Sequence, residues 1–271
     1  MEKVTSADGT PIAFDRFGEG PPVIVVGGAT CDRATTHPLA EALGHHATVF
    51  NYDRRGRGDS GDTAPYAVER EIEDLDALIA EAGGSASVYG HSSGAVLVLH
   101  AAAQARPMTR LVLHEPPFVP DGEEERRTSR EYAERLTALL AEGRRGDAVE
   151  LFMTLVGMPA EAIAGMHHSP MWPGLEAVAP TLAYDSEIMG NVRRGGTIPT
   201  EVLDEVTTSA PALVLVGGAS PPWMIDAGRQ VADALPNAEH RVLDGQGHGV
   251  APDVLAPVLV DFLDAYPGVT S

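Results

Sequence analysis

The sequence predicts an α/β protein with a mostly parallel sheet flanked by helices. The first observation is a set of short, fully apolar runs, such as residues 23–26 and 212–216, which are typical of strands buried on both faces. The second is that amphipathic helical stretches separate these runs along the chain. Strands that alternate with helices form parallel sheets, because each helix returns the chain to the same edge of the sheet.

The first elements form a hairpin and the start of the sheet. Residues 4–6 and 11–16 flank Asp8-Gly9, a pair that is favoured in tight hairpin turns. Four more strands and three helices follow before the middle of the chain. In order they are a strand at 23–26, a helix at 36–43, a strand at 48–52, an amphipathic helix at 69–82, a β-prone run at 87–89 with a helix to Ala105, and a strand at 110–113.

The alternation stops after the sixth strand. Residues 118–203 are mostly helical, including 123–141 and 147–156. It resumes with the strand 212–216, a helix near 224–235, the strand 240–243 and a last helix at 252–266. We therefore predict an eight-stranded core domain of residues 1–117 and 204–271, with residues 118–203 inserted after strand six as a helical lid.

Composition excludes several classes of partner. The chain has 19 Lys and Arg against 39 Asp and Glu, a formal net charge of −20, which argues against nucleic acid or an anionic membrane. Cys31 is its single cysteine, so no disulfide forms within the chain. No apolar signal core and no run of about 20 apolar residues occur. We expect a cytoplasmic protein, either a monomer or a homodimer.

A reactive serine is predicted at the turn Gly90-His91-Ser92-Ser93-Gly94. A strand, a Gly-x-Ser-x-Gly turn and a helix together form a nucleophile elbow, in which small residues flank a strained serine. The charged loop at 53–60 lacks the Lys-Ser/Thr ending of a phosphate-binding loop. That loop is instead predicted to be a structural turn held by Arg–Asp pairs.

Five landmarks resemble the α/β-hydrolase superfamily. They are Gly27-Gly28-Ala29, the loop Tyr52 to Gly58, the elbow, the helical insertion and Gly247-His248-Gly249. The resemblance implies an α/β-hydrolase fold with Ser92 as nucleophile and His248 as general base. It also implies an oxyanion hole formed by the backbone amides of Ala29 and Ser93, and no metal or cofactor.

The third triad residue departs from the usual pattern. The superfamily normally places an aspartate after strand seven, where this chain has Ser220. Some members place the acid after strand six, and Glu115 ends that strand. Because ligands bind at the carboxyl ends of parallel strands, Glu115 is on the catalytic side. Asp226 and Asp244 are the alternatives.

Short motifs narrow the resemblance. Ser-Ser-Gly-Ala at the elbow, His-Glu-Pro-Pro after strand six and Gly-Ala-Ser-Pro after strand seven are similar to fungal zearalenone lactonases. The inserted segment is rich in Met and aromatic residues, which suit irregular apolar ligands. The residues expected to line the substrate pocket are Gly28, Cys31, His91, Phe118, Met171 and Trp172.

The predicted function is hydrolysis of a medium-sized apolar carboxylic ester or lactone by Ser92, His248 and Glu115. Thioester hydrolysis, C–C bond hydrolysis and cofactor-free perhydrolysis are alternatives on the same triad. A ligand-binding relative without catalysis is a third reading, because Ser220 replaces the usual acid.

Overall fold

A computed structural model of the protein describes residues 1–264, so the predicted end of the last helix near Tyr266 lies outside the described residues. Within that range the sheet has eight strands in the order β1-β2-β4-β3-β5-β6-β7-β8. The strands are β1 Glu2–Thr5, β2 Pro11–Phe17, β3 Pro22–Val26, β4 Thr48–Tyr52, β5 Ala86–His91, β6 Met108–His114, β7 Ala212–Gly217 and β8 Ala238–Leu243.

The predicted mostly parallel sheet is confirmed. β1 and β2 are antiparallel to their neighbours, and β3 to β8 pair in parallel. The opening hairpin turns at Gly9, whose φ of 88° lies in the left-handed region that glycine adopts without steric cost. The antiparallel strands therefore form one edge, while the parallel strands form the centre and the opposite edge.

Helices cover both faces of the sheet. α1 and α12 pack on one face, and α2, α3 and α11 pack on the other. The core helices are α1 Arg33–Leu43, α2 Val68–Glu81, α3 Ser93–Ala103, α11 Pro222–Ala234 and α12 Pro252–Asp264.

Strand β3 shows why a fully apolar run predicts a buried parallel strand. Val23 and Val25 pack into the core on the α1 and α12 side, whereas Ile24 and Val26 pack into the core on the opposite side. Side chains alternate between the two faces of a strand, so both faces of β3 require apolar residues.

A helical segment lies between β6 and β7, and we refer to it as the α4–α10 segment. The predicted helices at 123–141 and 147–156 correspond to its first two members. Its helices are α4 Glu123–Ala141, α5 Arg145–Leu155, α6 Ala160–Met166, α7 Trp172–Val178, α8 Leu182–Met189, α9 Asn191–Arg194 and α10 Thr200–Glu205, with a 3-10 turn at Ala179–Thr181.

The topology gathers the predicted site at one edge of the sheet. Ser92 follows β5, Glu115 follows β6, Ser220 follows β7 and His248 follows β8. Because these strands are parallel, their carboxyl ends lie side by side. Residues far apart in sequence therefore meet at that edge.

No helix within residues 1–264 has the length and apolar character needed to cross a lipid bilayer.

Candidate active site

Ser92 occupies a strained turn between β5 and α3. Its φ of 55° and ψ of −124° are unfavourable for a residue with a Cβ atom. The two elbow glycines make this turn possible. A Cβ on Gly90 would lie 2.6 Å from the Gly94 carbonyl oxygen, and one on Gly94 would lie 2.5 Å from the Val26 carbonyl oxygen. The backbone is therefore held in a conformation that presents Ser92 at the start of α3.

Glu115 and His248 are in direct contact. His248 Nδ1 lies 2.5 Å from Glu115 Oε2, and the carboxylate is fully buried while the imidazole is 44% exposed. Glu115 has a φ of 50°, so the chain turns sharply at the end of β6 and directs this side chain along the sheet edge. Because an ionised carboxylate only accepts hydrogen bonds, Nδ1 carries a proton, and in the neutral imidazole Nε2 then has the free lone pair.

The second Glu115 oxygen is held by the loop after β7. Oε1 accepts hydrogen bonds from the Gly217 amide at 2.6 Å and from the Ser220 hydroxyl at 2.5 Å. Burial raises the pKa of Glu115, but the hydrogen bonds from His248, Ser220 and Gly217 outweigh it and lower that pKa to about 2. The carboxylate is therefore ionised at neutral pH.

The Ser220 hydroxyl thus contributes to the site, a role that sequence reasoning missed. The sequence pattern indicates only that the usual acid is absent at this position. It lies where a superfamily aspartate is expected, and donates to the acid that comes from the neighbouring strand. The two alternative acids are both exposed, and Asp226 pairs with Arg229.

Ser92 and His248 are not hydrogen-bonded to one another. Among the described residues, the Ser92 hydroxyl has no hydrogen-bond partner. Catalytic hydrogen bonds often form only once substrate is bound, so this geometry is compatible with proton transfer between the two. Their pairing remains a prediction.

His91 connects the elbow to the turn that carries His248. Its Nε2 lies 3.0 Å from the His248 carbonyl oxygen, and the two rings lie 4.7 Å apart. Since a carbonyl oxygen only accepts, His91 Nε2 carries a proton. Burial and the neighbouring His248 lower the pKa of His91 to about 4. A neutral His91 therefore holds the His248 turn.

The lowered pKa of His91 predicts that stability falls on acidification. Between about pH 6.5 and 4 the unfolded chain binds a proton that the folded chain does not, so the free energy of unfolding decreases as the pH falls. His91→Gln keeps a hydrogen-bond donor but does not titrate. We expect its free energy of unfolding to decrease over this pH range by on the order of 2–3 kcal/mol less than that of the wild type. Urea unfolding at several pH values measures it. The exposed His37→Gln is the control, and an unchanged slope in His91→Gln would refute the prediction.

One predicted oxyanion donor, Ser93, lies in the elbow itself, and the other, Ala29, lies in the loop after β3. Within the described residues, the Ala29 amide donates to no acceptor, and Ser93 is the first residue of α3. A Cβ on Gly28 would lie 3.0 Å from the Ser92 Cβ, so Gly28 borders the serine. Two backbone N–H groups are therefore available close to Ser92.

A buried ionic cluster lies next to these donors. Asp185 of α8 binds three of its members. Its carboxylate binds Arg54 at 2.8 Å, Arg57 at 2.9 Å and the Ser93 hydroxyl at 2.7 Å. Arg57 also donates to the Gly28 carbonyl oxygen at 2.5 Å. The predicted Arg–Asp pairing of this loop is thus present, but each pair has one partner outside the loop. The loop arginines bind acids from other segments, whereas the loop acids Asp53 and Asp59 bind Arg33.

The remaining predicted pocket residues lie in varied surroundings. Cys31 packs against Gly27, and burial raises the pKa of its thiol. Met171 is 63% exposed, whereas Trp172 is buried among apolar side chains of the α4–α10 segment and stacks on His167 at 3.9 Å. The structure does not bring either residue into contact with Ser92.

Phe118 is fully buried, and borders a cavity between α11 and the α4–α10 segment. This cavity has a volume of about 950 Å³, and neither Ser92 nor His248 lines it.

Within residues 1–264, no group of three or more His, Cys, Asp or Glu side chains is arranged to hold a metal ion.

Known proteins share this architecture. The model of the alpha/beta hydrolase family matches residues 23–258. An alpha/beta hydrolase from Sphaerobacter thermophilus is 54% identical, with a TM-score of 0.85 over 97% of this chain and 100% of that chain. An enol-lactonase from Burkholderia xenovorans shares the fold at 20% identity, with a TM-score of 0.68 over 97% of this chain and 100% of its own.

A curated relative matches over a shorter range. N-formylmaleamate deformylase from Pseudomonas putida is 38% identical over 117 residues, which are 41% of this chain and 44% of that protein. The match thus spans less than half of the deformylase. Together with the elbow and the sheet order, the match of the family model over most of the chain identifies the protein as a member of the alpha/beta hydrolase family.

Proposed function

We propose that this hydrolase cleaves a carboxylic ester or lactone, with Ser92 as nucleophile, His248 as general base and Glu115 as the triad acid. The observation that supports this most strongly is the 2.5 Å contact between His248 Nδ1 and the buried Glu115 carboxylate. This contact lies at the edge of the sheet where Ser92 occupies its strained turn.

The proposed chemistry follows from these positions. His248 Nε2 takes the Ser92 proton as Oγ attacks the carbonyl carbon, and the backbone amides of Ala29 and Ser93 stabilise the resulting oxyanion. His248 then returns the proton to the departing alkoxide, which leaves Ser92 acylated. Water, activated by the same imidazole, then hydrolyses the acyl-Ser92 ester, which releases the carboxylic acid product and frees Ser92. With a lactone, the alcohol stays tethered to the acyl group.

The apolar side chains of the α4–α10 segment favour an apolar substrate. We also propose that residues 118–203 act as a lid. Ala29, a predicted oxyanion donor, packs at the margin of an apolar cluster of this segment. A carbonyl bound at Ala29 would therefore have apolar neighbours for its acyl chain. The buried members of this cluster are Tyr132, Leu136, Leu139, Ala148 and Leu182.

A second candidate is hydrolysis of an N-formyl amide. The partial similarity to N-formylmaleamate deformylase favours it. The same three side chains would serve, with attack at the formyl carbon and a carboxamide nitrogen, protonated by His248, as the leaving group in place of an alkoxide.

A substrate panel tests the proposal. It comprises p-nitrophenyl esters from acetate to laurate, small and macrocyclic lactones, and an N-formyl amide. We expect the largest kcat/KM for esters or lactones of intermediate apolar size, and about tenfold or more lower values for the amide. Turnover of the amide alone would favour the second candidate. The absence of turnover on every substrate would count against hydrolysis of these classes.

The pH dependence of kcat/KM tests the assignment of the base. A protonated His248 cannot accept the Ser92 proton. We therefore expect log(kcat/KM) to fall on acidification with a slope of about one per pH unit. Because the pKa of Glu115 is about 2, its carboxylate adds no second ionisation between about pH 5 and 8. His248→Ala should lose activity throughout. A flat profile, with activity retained in His248→Ala, would contradict the assignment.

A further inference from the structure

We propose that Arg57 and Asp185 are positioning residues that orient and polarise the Ala29 N–H, an inference that rests on the proposed hydrolase function. Neither side chain would touch the substrate. They act on the peptide group between Gly28 and Ala29, which carries one of the two predicted oxyanion donors.

Arg57 holds this peptide group from its carbonyl side. Its Nη1 donates to the Gly28 oxygen at 2.5 Å and to the Cys31 oxygen at 3.3 Å. The Gly28 oxygen and the Ala29 N–H belong to one planar trans peptide, so they point in opposite directions. Fixing the oxygen therefore fixes the direction of the N–H. A cationic donor on the oxygen also polarises the N–H and strengthens the bond that it offers.

Asp185 orients Arg57 and the second donor segment together. One carboxylate accepts from Arg57 Nη2 at 3.0 and 2.9 Å, from Arg54 Nη1 at 2.8 Å and from the Ser93 hydroxyl at 2.7 Å. Ser93 carries the other predicted oxyanion N–H. Asp185 therefore connects the loop after β3 to the start of α3, and sets the spacing between the two donors.

The cluster is buried and internally neutralised. The guanidinium groups of Arg54 and Arg57 and the carboxylate of Asp185 are almost inaccessible to solvent, and Glu71 binds Arg54 with two hydrogen bonds of 2.7 and 2.8 Å. Both terminal nitrogens of Arg57 are bonded, whereas its Nε has no hydrogen-bond partner among the described residues. Buried charges held by several hydrogen bonds have few alternative arrangements. This rigidity is what an oxyanion hole requires, because its donors must be in place before the charge develops.

The same loop provides a matched contrast. Arg55 binds Asp74 through two hydrogen bonds of 2.8 and 2.7 Å, and both side chains are buried. This pair contacts neither Gly28 nor Ser93. Asp74→Asn therefore breaks an equally buried Arg–Asp pair without a direct effect on the oxyanion donors.

Three variants of the full chain test the proposal, namely Asp185→Asn, Arg57→Lys and Asp74→Asn. Arg57→Lys keeps the cation but cannot hold both Asp185 and the Gly28 oxygen as the planar fork does. Each is assayed for kcat and KM on the best ester of the panel, and for inhibition by phenylboronic acid. Boron bonds to Ser92 Oγ, and a boron-bound oxygen occupies the oxyanion position. Thermal melting identifies folded variants.

We expect kcat to fall about 10- to 100-fold in Asp185→Asn and about tenfold in Arg57→Lys, with KM nearly unchanged. The phenylboronic acid Ki should rise by similar factors. Asp74→Asn should keep kcat and Ki within about twofold, even if its melting temperature is lower. If Asp185→Asn does not fold, the kcat and Ki of Arg57→Lys test the inference.

Two outcomes would overturn the inference. One is that the folded Asp185 and Arg57 variants match Asp74→Asn in kcat and Ki, and the other is that they change KM alone. Failure of the proposed function is distinguishable, because wild-type protein would then neither turn over the panel nor bind phenylboronic acid at Ser92.

Discussion

Replacing Ser92 by alanine is expected to lower kcat/KM by about 10⁴- to 10⁶-fold while leaving the fold intact. The reaction loses its nucleophile, and the neighbouring Ser93 hydroxyl is bound to Asp185. Ser92 Oγ has no hydrogen-bond partner among the described residues, so its removal should cost little stability. The change keeps a Cβ at a φ of 55°, so backbone strain is unaltered. Steady-state kinetics and thermal melting of purified protein measure both effects.

Ser87→Ala is the matched control for this substitution. Ser87 lies on β5, the strand that leads into the elbow, and bonds to Thr109 away from the site. It is buried, whereas Ser92 is half-buried. It should retain wild-type activity within about twofold. If Ser92→Ala keeps near wild-type turnover, the serine-hydrolase mechanism is wrong.

The second large effect is expected from Glu115→Gln, which should lower kcat by about 10³- to 10⁴-fold. The glutamine carbonyl can replace Oε1, which accepts from Gly217 and Ser220. Its NH₂ group then faces His248 Nδ1 and donates to it. The imidazole must move its proton to Nε2, which removes the lone pair that accepts the Ser92 proton. Kinetics on the best ester measure the loss.

Asp226→Asn is the control for the identity of the acid. Asp226 is exposed and pairs with Arg229 on the same helix, so its replacement should change kcat by no more than about twofold. The assignment of Glu115 fails if Asp226→Asn abolishes turnover and Glu115→Gln does not.

Much of the fold follows from local sequence pattern. The run at 23–26 is apolar at every position because both faces of β3 are covered. The elbow can also be predicted from its sequence pattern, because Gly90 and Gly94 lie where a Cβ atom would clash with the backbone. The position of Glu115 at the end of a parallel strand predicted that it lies on the catalytic side of the sheet, and the family resemblance suggested it as the acid.

Other parts of the site depend on distant contacts that no local pattern encodes. Asp185 lies 128 residues from Arg57, in a helical segment whose path over the core cannot be inferred from periodicity. Nothing in the sequence shows that three neighbouring arginines are buried, because charged loops are usually exposed. The bond from Ser220 to Glu115 depends on two adjacent strands that are distant in sequence.

The predicted pocket residues show the same limit. Met171 and Trp172 are adjacent, yet one is exposed and the other is buried within the α4–α10 segment. A Met-Trp pair in a helical insertion predicts apolar packing without saying which surface it covers. Residues such as Leu136 and Leu182, which pack near Ala29, are better positioned to influence substrate size.

Covalent labelling tests the role of Ser92 most directly. A fluorophosphonate forms a P–O bond to an activated serine and releases fluoride, so intact-mass measurement followed by peptide mapping identifies the reactive residue. We predict one phosphonyl group per chain, located on Ser92, with no labelling of Ser92→Ala and much slower labelling of Glu115→Gln. Wild-type protein that stays unlabelled, or that is labelled elsewhere while Ser92 remains free, would contradict the proposed mechanism.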